Sequence, residues 1–199
     1  MPKPHTYYYL PPNIHGGSKA MMFVDGENLA IRYGEMLGAS KPPFHVSFVP
    51  NVFVWSTFAN AADHTACEIV RRYYYTAVQG DEHKVEDIEE QLKNLGIEAP
   101  RVFKKTRGRR AKRVDISLAT DMLSHAHRKN YDLAILVGGD EDYLPLLQAV
   151  AAEGRRIVLW ALESGLSPAL ARAADHLFDI GHILFATAES IRLGPPDWE

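Results

Sequence analysis

Four aspartates carry the spacing that could do chemistry. Asp25 closes the apolar run Ala20-Met21-Met22-Phe23-Val24, Asp115 follows a strongly basic stretch, and Asp140 and Asp142 follow Leu133-Ala134-Ile135-Leu136-Val137-Gly138-Gly139. A continuous apolar run that stops at glycine reads as a buried parallel strand reaching the rim of an α/β sheet. In such a sheet the carboxyl ends of the strands share one edge, the following helices begin there, and ligands bind just beyond it. The four acids can therefore converge although they are far apart in the chain. Crowded carboxylates raise one another's pKa unless a cation lies among them. Hard oxygen donors suit Mg²⁺ or Mn²⁺, which keep several waters and share coordination with phosphate. This donor set points to phosphoryl chemistry, with an activated water attacking phosphorus.

Each acid taken alone has a structural explanation. Asp140 or Asp142 could cap a helix, and Asp115 could be a first-turn residue favoured by the helix dipole. Asp25 has no evident duty of that kind, and the agreement of four positions on one sheet edge favours a metal site. Asn28, three residues after Asp25, could orient Asp25 or a water, or serve as an ordinary first-turn polar residue. Asp121 lies six residues beyond Asp115, about 240° around a helix, so it does not share that face and is a secondary candidate. Glu27 and Glu141 are expected to point away from the acids and to be solvated. The nine histidines show no HExxH spacing, and His125 and His127 are two apart on a helix and cannot chelate together, which argues against zinc hydrolysis.

The elements that must position these residues alternate. Lys19 to Asp25 reads as a strand, and Glu27 to Leu37 as a helix with Leu29, Tyr33, Met36 and Leu37 on one face and a stop near Gly38. Residues 40 to 50, with Pro42, Pro43 and Pro50, read as a loop. Asn51 to Phe58 and Ile69 to Val78 are strand candidates, the first hard to separate from a short helix. Asp81 to Leu95 is a charged helix with Val85, Ile88, Leu92 and Leu95 inward and Gly96 as its stop, and Ile97 to Phe103 returns as a strand. Val114 to Lys129 is a helix with core face Val114, Leu118, Met122 and Ala126. Asp132 to Val137 is the strand before the paired acids, Glu141 to Glu153 a helix, and Arg155 to Ala161 another strand. Ser167 followed by Pro168 reads as an N-cap and first helical position, opening a helix to about Ala174. Alternation of this kind predicts an α/β fold with a doubly wound, mostly parallel sheet flanked by helices.

The chain of 199 residues, 46% hydrophobic and 24% charged, fits one domain able to bury its own core. We divide it into an extended segment with several prolines at 1–18, a domain at 19–185 and a tail at 186–199. Its single cysteine, Cys67, can form no internal disulfide and removes Cys-based zinc sites from consideration. No apolar run approaches a membrane helix and residues 1 to 20 lack a secretory core, so a cytoplasmic protein is expected. The net charge of −3 hides a local excess: Lys104, Lys105, Arg107, Arg109, Arg110, Lys112 and Arg113 put seven basic residues in ten. Most charge runs are solvated loops, but beside a carboxylate site this one could hold a polyphosphate backbone that the acids alone would repel. Tyr7, Tyr8 and Tyr9 could pack on the domain or stack bases.

With these residues in view, the chain resembles the NYN domain family, in its bacterial LabA-like branch, which has a PIN-like nuclease fold. The pieces that carry the resemblance are FVDGEN (Phe23 to Asn28), YYYTAV (Tyr73 to Val78), RVDISLATDM (Arg113 to Met122), DLAILVGGDEDYLPLLQAV (Asp132 to Val150) and SPALARAADHLFDI (Ser167 to Ile180). The resemblance implies a PIN-like (Rossmann-like) fold and a metal-dependent ribonuclease with Mg²⁺ or Mn²⁺ on Asp25, Asp115, Asp140 and Asp142, and Asn28 in the DxxN position. Arg113 replaces the glycine of the KGVD pattern, and SGDGDF becomes GGDEDY. RNA is the expected partner, a homodimer is compatible with such a domain, and a binding module without turnover or a small-molecule phosphatase are the rival readings.

Overall fold

The computed structural model describes residues 18–60, 67–105 and 112–187. The N-terminal segment with Tyr7 to Tyr9, the part of the basic run holding Arg107, Arg109 and Arg110, the side chain of Lys112, and the tail after Thr187 lie outside the described residues.

The chain opens with β1 (Lys19–Asp25), which runs directly into α1 (Gly26–Leu37). Two short strands, β2 (Val46–Val49) and β3 (Phe53–Ser56), pair as an antiparallel hairpin. After them come β4 (Glu68–Val78), α2 (Glu82–Asn94), β5 (Ala99–Lys104), α3 (Lys112–His127) and β6 (Leu133–Val137). A 3₁₀ turn at Glu141–Tyr143 leads into α4 (Leu144–Ala152), then β7 (Arg156–Ala161), α5 (Pro168–Ala173), β8 (His176–Asp179) and α6 (Gly181–Leu184).

Six strands form one parallel sheet in the order β5-β4-β1-β6-β7-β8. Counted along the sheet's own strands this is 3-2-1-4-5-6, the doubly wound arrangement in which the winding reverses between the first and fourth strands. Here those are β1 and β6. Their carboxyl ends are Asp25 and the Gly138-Gly139-Asp140 turn, so the two halves of the predicted acid set flank the switch point.

Strand alternation sorts the side chains between two cores. Ala20, Met22 and Val24 of β1 pack with Leu29 and Tyr33 of α1, Ile88 and Leu92 of α2, and the β2–β3 hairpin. Met21 and Phe23 pack on the other face with Val114, Leu118 and Met122 of α3 and Leu147 and Val150 of α4. Asp25 shares the parity of Met21 and Phe23, so it is sent to the face that carries Asp115 and Tyr143. The predicted inner face of α3 is buried throughout.

Glycine is needed at position 26 because the Tyr74 ring passes across the start of α1. A Cβ there would lie 1.9 Å from the ring. That ring is itself fixed: the Tyr74 hydroxyl donates to the Val54 carbonyl at 3.0 Å and accepts from the Val54 N–H at 3.1 Å, holding the hairpin against β4.

Several expectations change. Residues 40–50 are not all loop, since Val46–Val49 pairs with β3; proline lies on both sides of this run but not within it, so its N–H groups are available to the ladder. The helix expected from Glu141 begins as a 3₁₀ turn and becomes α-helical at Leu144. The strand β8 and the short α6 had no counterpart in the sequence reading. Among the described residues no helix is long and apolar enough to cross a membrane.

Candidate functional site

Asp25 sits at the junction of β1 and α1, 4% exposed. Its Oδ1 accepts from the backbone N–H of Asn28 at 3.1 Å, capping the helix. Asp25 therefore has a structural duty that the sequence reading did not assign to it, and capping and ligation coexist in one side chain. Its Oδ2 faces the other way and accepts from the Tyr143 hydroxyl at 2.9 Å. The same hydroxyl lies 3.3 Å from Asp115 Oδ1 in the first turn of α3. One phenolic oxygen thus joins β1, α3 and the turn after β6.

That turn is locally determined. Asp140 Oδ1 accepts from the Asp142 N–H at 3.1 Å, and the Tyr143 N–H donates to the Asp140 carbonyl at 3.2 Å. Asp140 and Asp142 are thereby exposed beside the buried Tyr143. Gly139 approaches the loop after β7 so closely that a Cβ would lie 2.9 Å from the Gly165 carbonyl oxygen. Ser167 ties the same region together: its N–H donates to the Gly139 carbonyl, its Oγ caps α5 and its hydroxyl donates to Glu141 at 2.8 Å. Glu141 is exposed, as expected.

The charges respond to this packing. Burial, above all, pushes the Asp25 carboxyl from 3.8 up to about 7; the Asn28 N–H and the Tyr143 hydroxyl pull it down, while Asp115 and Glu27 push it further up. Asp115 is raised as well, by partial burial of its carboxyl first and then by Asp140, Glu27 and Asp142, against the Tyr143 bond. Asp25 therefore feels Asp115, and Asp115 feels Asp140 and Asp142. Tyr143 is held neutral, its pKa raised by burial and then by Asp25 and Asp115.

Two residues of the site were not found from sequence. Glu27 was expected to point into solvent, yet its side chain is only 16% exposed, pairs with Lys105 and contributes to the field on Asp25 and Asp115. The helical-angle argument failed because Asp25 is a strand residue, so the Asp25–Glu27 angle is not set by helix geometry. Tyr143 carried a faint signal: it closes GGDEDY where the resembled pattern closes on phenylalanine, an added hydroxyl at a buried position.

The remaining candidates separate. Asn28 contributes its backbone N–H to Asp25, and the residue lines a narrow cleft with Arg32, Gly138, Gly139 and Gly165. Asp121 accepts from the Tyr75 hydroxyl at 2.9 Å and lies 3.8 Å from Arg101, on the β4–β5 side of α3. Of the basic run, Lys104 pairs with Glu82 at 3.4 Å, Lys105 with Glu27, and Arg113 is exposed at the start of α3.

By donor chemistry, clustered carboxylate oxygens suit a hard divalent cation. As they stand, no group of three or more His, Cys, Asp or Glu side chains among the described residues is drawn together to hold one. Asp25 and Asp115 meet at the Tyr143 hydroxyl instead.

A doubly wound parallel sheet with carboxylates at its switch point defines the class as an α/β domain. The chain belongs to the NYN domain family, which matches it over residues 19–181, a family whose members are generally nucleases that typically use divalent metals. An uncharacterised protein of Methanocaldococcus jannaschii is 31% identical over 68 residues, 34% of this chain and 28% of that protein. The chain thus spans just over a quarter of the length of that curated relative. A protein of unknown function from Vibrio parahaemolyticus has a similar solved structure, with a TM-score of 0.59 at 18% identity over 82% of this chain and 93% of that one. This last likeness concerns the fold alone.

Proposed function

We propose that the chain is a metal-dependent ribonuclease of the LabA-like branch, hydrolysing RNA phosphodiester bonds at Asp25, Asp115, Asp140 and Asp142 with Mg²⁺ or Mn²⁺. The observation that carries this reading is the meeting of Asp25 and Asp115 at one hydroxyl, 2.9 and 3.3 Å away, on the same turn that presents Asp140 and Asp142. A divalent cation held by these acids would stabilise charge on the phosphoryl oxygens and activate the attacking water.

The chain's own residues supply position. The Asn28 N–H fixes one oxygen of Asp25, and the Asp142 N–H fixes one oxygen of Asp140, so neither carboxylate swings freely. Asp140 and Asp142 are exposed, which suits a polymer lying across the sheet edge better than a small molecule enclosed in a cavity. Arg113, with Arg107, Arg109, Arg110 and Lys112, would take neighbouring phosphates, while Lys104 and Lys105, already paired with Glu82 and Glu27, would contribute less.

Incubating the full chain with labelled single-stranded RNA and Mn²⁺ tests the reading. We expect cleavage by the wild type and its loss in Asp25→Asn and Asp140→Asn; equal cleavage by all three would overturn it. Binding of RNA without turnover, insensitive to both substitutions, would identify a binding module instead. Turnover of phosphomonoesters alone would identify a phosphatase.

A further inference from the structure

Tyr143 stands between two of the candidate metal ligands. Its hydroxyl oxygen is within hydrogen-bond distance of Asp25 Oδ2 and near Asp115 Oδ1, and the residue is 3% exposed. The other oxygen of Asp25 is already engaged, as the cap of α1. Oδ2 is thus the oxygen that Asp25 has left to offer on this side, and Tyr143 covers it.

The arrangement has an internal tension. A phenolic hydroxyl has one proton and donates to one acceptor at a time. With 2.9 Å to Asp25 and 3.3 Å to Asp115, the single proton favours the shorter contact and leaves the longer one a weak bond. A divalent cation makes no such choice, because it attracts both carboxylates, and Mg²⁺ draws its oxygen ligands to about 2.0–2.1 Å. The hydroxyl cannot remain between the two acids while both oxygens close to that distance.

The Tyr143 N–H is bonded within the turn that carries Asp140 and Asp142, so the hydroxyl and the two exposed acids are tied to one piece of backbone.

We propose that Tyr143 is a positioning residue whose hydroxyl holds Asp25 and Asp115 apart in the metal-free protein and competes with a divalent cation for both. The proposal rests on the metal-site reading above. It assigns to Tyr143 the spacing of the acids and not a step of the reaction.

The test is Mn²⁺ binding to the full chain by calorimetry, with melting measured with and without Mn²⁺, for wild type and Tyr143→Phe. Phenylalanine keeps the buried ring and removes the competing bond. Tyr143→Phe is expected to bind Mn²⁺ about 3- to 10-fold more tightly, the range set by one lost hydrogen bond, and to melt lower without Mn²⁺ while gaining more from its addition. Equal or weaker Mn²⁺ binding by a folded Tyr143→Phe, or melting lowered equally with and without Mn²⁺, would overturn the proposal. A wild type that binds no Mn²⁺, when Tyr143→Phe binds none either, would overturn the metal-site reading itself, a failure distinct from the first.

Discussion

Asp25 places an acid where burial opposes its charge. Burial pushes its carboxyl up to about 7 in the folded chain from the ordinary 3.8. Between those values the folded state holds a proton that the unfolded state has released, so stability falls as pH rises from about 4 to 7. Above pH 7 the full cost is present, at most about 4 kcal/mol for a shift of this size. Asparagine at this position keeps an oxygen for the Asn28 N–H and removes the charge. Metal-free Asp25→Asn should therefore melt several degrees above wild type at pH 8, with the difference shrinking towards pH 4. Adding Mn²⁺ at pH 8 should narrow or reverse the gap, because only the wild type gains a ligand for its buried charge. A wild type that melts higher than Asp25→Asn in EDTA at pH 8 would mean that Asp25 is not carrying an uncompensated charge.

At the scale of elements, α3 serves two ends of the molecule. Its first turn brings Asp115 to the acid centre, and later turns bring Asp121 to Tyr75 and His125 to the Tyr73 hydroxyl at 2.9 Å. This division predicts that Asp121→Ala leaves RNA cleavage within about twofold of wild type while lowering stability by about 1 kcal/mol in urea unfolding, the usual net worth of one hydrogen bond. A large loss of cleavage with unchanged stability would return Asp121 to the site. The periodicity of α3 was readable because Val114, Leu118, Met122 and Ala126 repeat at the spacing that burial demands. Strand β1 and β6 were readable as apolar runs cut by Gly26 and by Gly138-Gly139, and they fix the sheet edge on which the acids meet. Strand β8 was not, because His176-Leu177-Phe178-Asp179 is four half-buried residues at the sheet's rim, too short for alternation to register. Nor was the meeting at Tyr143, which depends on how the turn after β6 folds back over the end of β1. Spacing along the chain locates acids on an edge, but the side chain that fills the gap between them is decided by packing.

The molecule as a whole carries a net charge of −3, and its acid edge would repel RNA if nothing compensated it. Some of the basic run near that edge is already committed. Lys104 faces Glu82 and Lys105 faces Glu27, the latter in a half-buried pair that offsets one carboxylate of the site. Attraction of a polyanion then falls more heavily on the arginines. Arg113 is exposed two residues before Asp115, and Arg109 and Arg110 stand shortly before it in sequence. For single-stranded RNA each phosphate neutralised contributes about 0.7 to the slope of log affinity against log salt. Replacing Arg109, Arg110 and Arg113 by alanine should thus flatten that slope by about 2, if each takes one phosphate, and weaken binding alike across unrelated sequences. Binding measured in Ca²⁺ or EDTA, where turnover does not consume the RNA, isolates the effect. An unchanged slope would show that the arginines are solvated surface and that RNA reaches the acids by another side of the sheet edge, the cleft beside Arg32 being the next place to substitute.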